Sequence, residues 1–178
     1  MENKNVSNSM AAQSWKDRQV AGMSIFRLAL CILGGLHILA FFFLSYAELS
    51  GAGRVLGFVL PEQMTAVNYI RFTIDMADLG LADTATLGVN TLVCILPAAI
   101  GALLLVFNLI QRSRKTYVRS IVFGAAALAI YLLLGYAMEQ CESVGYELTS
   151  GSTLGALLGV LTLIAAVAGL AMDPGTKQ

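Results

Sequence analysis

Charge is scarce in this chain. Only 12% of its 178 residues are Asp, Glu, Lys or Arg, against about 25% in a soluble domain. With 57% hydrophobic residues and a mean hydropathy of +0.75, that scarcity argues against a soluble core and against nucleic acid as a partner. Histidine occurs once, at His37. A Ser/His or Cys/His pair at an aqueous surface is therefore improbable, and the spans offer no second His or Met-rich face to complete a metal or haem site. The three cysteines, Cys31, Cys94 and Cys141, are scattered and form no CxxC. They make neither a disulfide framework nor the paired outer thiols of a quinone-linked thiol oxidase. Cys141 reads as a free surface thiol or an intermolecular bridge. Gly-x-Ser-x-Gly, P-loop, His-Glu-x-x-His and dinucleotide fingerprints are all missing, so no catalytic residue and no cofactor is assigned. Glu2 follows the initiator, which excludes N-myristoylation, and the last residues are not a CaaX box. The first apolar run is too long for a signal-peptide core, so no cleavable leader is expected.

What is present is a set of long apolar runs. Four spans are expected, at about Ile25–Ala47, Leu87–Ile110, Val118–Met138 and Ser152–Met172. Residues 1–24 form a cytoplasmic or interfacial segment. Trp15, Lys16 and Arg18 suit the headgroup level there, and a short interfacial helix is expected over Ser14–Gly22. Arg27 is expected to snorkel from the first span to the headgroups. Pro97 is expected to kink the second span. Residues 173–178 make a short cytoplasmic tail, opened by Asp173-Pro174-Gly175.

The stretch Gln111–Arg119 carries Arg112, Arg114, Lys115 and Arg119 and no acid, between two apolar runs. A basic loop between spans stays in the cytoplasm, and this one sets the topology. Lys4, Lys16, Arg18, Arg27 and Lys177 then fall on the same side, leaving Arg54 and Arg71 as the outer bases. Both termini are thereby cytoplasmic. The outer side holds Glu48, Glu62, Asp75, Asp78, Asp83, Glu139, Glu142 and Glu147, a field that attracts cations or a basic partner.

The longest connection contains the least generic feature. Pro61 and Glu62 are expected to open a helix running to about Leu79, where Gly80 stops it. At a 3.6-residue period Asn68, Arg71, Asp75 and Asp78 form a narrow polar stripe. That pattern predicts an amphipathic cap helix over 61–79 on the outer surface. Asp75, Asp78 and Asp83 are the candidate cation ligands, although the regular spacing of a calcium loop is absent. His37, an ionisable residue inside a span, is a functional candidate by default. The plainer reading is a neutral imidazole bonded between helices. Gly151, Gly155 and Gly159 repeat every fourth residue and predict a close packing face, inside the monomer or between copies.

Four spans with a larger first outer segment resemble the claudin-like plan. The tryptophan and paired cysteines of that segment are absent here, so the resemblance covers topology alone. The expected fold is all-α: an integral membrane four-helix transmembrane bundle over 25–172 with an extracytoplasmic cap helix. The expected function is that of a non-enzymatic accessory, scaffold or interaction subunit in the cell membrane. Its partners would be the lipid bilayer and another membrane protein or a second copy of this chain. The rivals are a subunit of an oligomeric channel or small-solute transporter, and a membrane enzyme with an outer site joining Asp75 or Asp78 to Glu139 or Glu142. Outer loops free of glycosylation sequons are compatible with a bacterial inner membrane.

Overall fold

The computed structural model describes residues 19–20, 23–49, 54–55, 58–59, 61–81, 83–111, 113–139 and 145–173. The chain is mostly helical, and four of its helices are long and apolar enough to cross a membrane. They are α1 (Ile25–Phe43), α3 (Thr84–Ile110), α4 (Arg114–Glu139) and α5 (Gly151–Met172), with a shorter α2 (Ala66–Asp78) in the longest connection. Each long helix keeps only about a third of its apolar window buried inside the chain. Ile32, Leu36, Leu39, Leu92, Val122 and Ile164 are among the large side chains left exposed on their flanks.

The bundle is two helical hairpins laid together. Within the first, α1 and α3 touch backbone to backbone at Gly34 and Gly101. Within the second, Gly159 of α5 lies against the Leu128 backbone of α4, and Gly155 against the Tyr131 ring. Small residues permit this approach and lengthen the dispersion contact. Between the hairpins the contacts include polar ones, described below.

At one end of the bundle the chain makes a three-stranded antiparallel sheet, which the all-α expectation did not contain. Its central strand β3 (Ser45–Leu49) pairs with β6 (Gln63–Thr65) on one side and β7 (Tyr146–Leu148) on the other. The two connections at this end are thus stitched together. A bulge between Ser45 and Ala47 accompanies two consecutive buried side chains, Tyr46 and Ala47. They join Met64, Tyr146, Tyr131 and Met138 in the main core. Tyr146 donates its hydroxyl to the Pro61 carbonyl at 2.9 Å. Two further strand pairs are two residues per strand: β1 (Gln19–Val20) with β2 (Met23–Ser24), and β4 (Arg54–Val55) with β5 (Phe58–Val59).

Several boundaries move from their expected places. The first span stops at Phe43, because Leu44 turns extended and Ser45–Leu49 joins the sheet. The helix expected as a cap starts at Ala66 rather than Pro61. Gln63–Thr65 is claimed by β3, and the Thr65 hydroxyl caps the helix by accepting the Asn68 N–H at 3.2 Å. Its far end matches expectation: Gly80 has φ +72°, Gly80 N–H donates to Ala77 O and Leu81 N–H to Met76 O, a Schellman close. The basic stretch is mostly helix. The described connection before α4 includes Gln111 and Ser113, and Arg114, Lys115 and Arg119 stand on the first turns of α4. Helical hydrogen bonding does not need apolar side chains, so α4 begins before its hydrophobic run does. Gln19 and Val20, expected in an interfacial helix, form a strand with Met23–Ser24 instead. The rest of that helix, residues 14–18 and 21–22, lies outside the described residues, as do Arg112, Cys141, Glu142 and residues 174–178.

Candidate functional site

The buried face of α1 reads Arg27, Leu30, Cys31, Gly34, His37 and Ala40, a spacing of three and four residues. It carries both basic side chains of that helix inward, and each becomes the centre of a polar cluster.

His37 is fully buried, six residues from the sheet end of α1. Its Nδ1 lies 3.1 Å from the Tyr131 hydroxyl on α4, and its Nε2 3.2 Å from Thr162 Oγ1 on α5. Thr162 donates its own proton to the Leu158 carbonyl at 2.9 Å. Its oxygen is then left to accept, so Nε2 donates and Nδ1 accepts from Tyr131. This is the arrangement of a neutral imidazole protonated on Nε2. The His37 and Tyr131 rings also stack, with centroids 5.7 Å apart and planes 17° from parallel. Among the described residues no group of three or more His, Cys, Asp or Glu is placed to hold a metal ion.

Arg27, expected at the headgroups, is instead 5% exposed. Its Nη2 donates to the carbonyls of Asn108 and, at 3.5 Å, Leu109. These belong to the last turn of α3, where carbonyls lack intrahelical partners and the helix dipole favours a cation. Asn108, fully buried, donates Nδ2 to Leu104 O at 2.8 Å and to Ser120 Oγ of α4 at 3.1 Å. Arg27 Nε and Asn108 Oδ1 have no partner among the described atoms. Nearby, Tyr117 of α4 bonds the Ser24 hydroxyl at 2.9 Å and donates to the Asp173 carboxylate, tying the starts of α1 and α4 to the end of α5. Sequence reading missed this node because it placed Arg27 by its distance from the span end. Its position on the His37 stripe was the available signal.

Among the described residues the acidic candidates form no group of three placed to hold a metal ion. Asp75 and Asp78 are exposed on α2, and Asp83 is exposed ahead of α3, its carbonyl accepting the Leu87 N–H at 3.0 Å. Glu139 stands elsewhere, at the end of α4, on a groove that Asp75 and Asp78 do not line. Glu48 and Glu147 are directly opposed across β3 and β7.

Gly151, Gly155 and Gly159 are buried against the chain itself. A Cβ on Gly151 would overlap the Ser45 carbonyl, one on Gly155 the Tyr131 ring, and one on Gly159 would come within 2.8 Å of the Leu128 backbone. That face is packed against α4 and β3. Of the bases expected to set the topology, Arg114 and Lys115 are exposed. Arg119 donates to Gln111 Oε1 at 2.8 Å and sits 5.0 Å over the Phe107 ring. Burial pushes the Tyr46 hydroxyl of β3 well above the usual tyrosine range, with Tyr131 and Cys94 adding to the effect, so that hydroxyl keeps its proton.

No protein-family model, no curated protein and no solved structure matches this chain.

Proposed function

We propose that the protein is a non-enzymatic membrane scaffold or accessory subunit. Its four long helices span the cell membrane of a bacterium, both termini are cytoplasmic, and the sheet and α2 stand outside. The observation that carries this reading is how the buried polar side chains are used. His37 has both ring nitrogens engaged by Tyr131 and Thr162, and Arg27 and Asn108 bind the ends and flanks of neighbouring helices. Groups held in this way lock helices together, and the two atoms among them without a partner, Arg27 Nε and Asn108 Oδ1, are buried. A conduction path or a catalytic centre would instead keep some of them open to a solute.

The exposed apolar flanks of all four helices fit lipid tails. The bases Arg114, Lys115 and Arg119 lie at the end opposite the sheet and favour the cytoplasmic side. The acids of α2 and of the sheet, Asp75, Asp78, Glu48 and Glu147, then form an outward face suited to a basic partner surface.

The test is the mass of the complex extracted from native membranes with its partners retained. A stoichiometric complex with a different membrane protein supports the accessory role and identifies the process. A homo-oligomer that conducts solutes in liposomes would replace this reading with the channel one.

A further inference from the structure

At the sheet end, α4, α5 and the turn from β7 into α5 leave between them an open groove of about 470 Å3. Its lining is graded along the helices. Leu132 lies deepest on α4, Tyr136 one turn on, and Glu139 at the helix end; Thr153, Ser152 and Thr149 climb in the same direction on the other wall. From Leu132 to Glu139 is about 10 Å at 1.5 Å per residue. Leu132 and Tyr136 are 59% and 65% exposed, so the groove opens sideways, along the flank of the spans. Leu132 and Ala156 make its lower part apolar, hydroxyls follow, Glu139 and Leu148 stand at the sheet end, and among the described residues its lining contains no base.

We infer that this groove seats the headgroup of a phospholipid bearing a primary ammonium, with the ammonium on Glu139. The inference rests on the bilayer placement proposed above. An anionic headgroup meets a carboxylate and no cation, and is repelled. A quaternary ammonium has no N–H to give and is recognised by cages of several aromatic rings, whereas one ring, Tyr136, stands here. A primary ammonium has three donors. The Glu139 carboxylate and the hydroxyls of Ser152 and Thr153 supply acceptors for them, and the acyl chains continue down past Leu132. The groove is about two helical turns long, too short to seat a partner helix.

The experiment reconstitutes the full chain into nanodiscs of phosphatidylcholine doped equally with phosphatidylethanolamine and phosphatidylglycerol, and measures by native mass spectrometry which lipid stays on the ejected protein. Phosphatidylethanolamine is expected to be retained about fivefold over the other two, the preference that a partly screened ion pair confers. Glu139→Gln is expected to bring retention to parity. Thr153→Trp, which fills the groove from an exposed position, is expected to do the same while circular dichroism stays unchanged. Equal retention of all three lipids by the wild type overturns the inference. So does a preference that survives both variants, because the lipid would then sit elsewhere. Failure of the chain to enter nanodiscs at all overturns the bilayer placement instead.

Discussion

Gly34 and Gly101 exclude each other's side chains. A Cβ on Gly34 would stand 2.7 Å from the Gly101 carbonyl oxygen, and one on Gly101 2.5 Å from that of Gly34. The two helices of the first hairpin are held at the distance of their backbones, with no side chain between them. The nearest atom in each case is a backbone oxygen, with the side chains of Leu104, His37 and Ile38 close behind.

Gly101→Ala is therefore expected to lower stability by about 1–3 kcal/mol, the usual effect of overpacking. Gly35→Ala is the control, since a Cβ there meets nothing within 4 Å and gains helix propensity. Thermal unfolding in one detergent compares the two. Equal melting temperatures would show that α1 and α3 do not pack this closely.

The His37 cluster predicts a coupling and a tautomer. A double-mutant cycle of His37→Phe with Tyr131→Phe is expected to give a coupling energy of about 0.6–1.7 kcal/mol, the range of polar contacts between membrane helices. Nitrogen NMR of the single histidine is expected to show a neutral ring protonated on Nε2. A ring protonated on Nδ1 would reverse the donor order deduced from Thr162 and Leu158.

Glu48 and Glu147 face each other across the sheet with like charge. Glu147→Lys is expected to raise stability by about 0.2–1 kcal/mol. The gain should shrink as salt is raised, because both positions are exposed. A gain that is the same at low and high salt would point to packing or strand propensity rather than to charge.

Orientation is read by labelling. With Cys141 replaced by Ser, and Cys31 and Cys94 buried, single cysteines are placed at exposed Glu147 and Ser113. A membrane-impermeant maleimide added to intact cells is expected to label Glu147→Cys at once, and Ser113→Cys only after lysis. The reverse pattern would invert the topology.

Hydropathy was enough to find the four long helices, because it depends on residue type alone. Helix caps were legible where the chemistry is local: Gly80 marks the end of α2 by its positive φ, and the three-to-four spacing on α1 holds the positions that turn inward. The sheet was not legible. β3, β6 and β7 are three to five residues long, too short to carry a period, and β6 and β7 are strands only because β3 lies between them. The same holds for Arg27. Composition puts a guanidinium near a span end, but whether it reaches water or a neighbouring helix depends on where the open carbonyls of α3 stand. Local rules determined which segments become helices. Only the tertiary structure decided which polar side chains meet, because a hydrogen bond between distant residues is set by where the folded backbone puts its two ends.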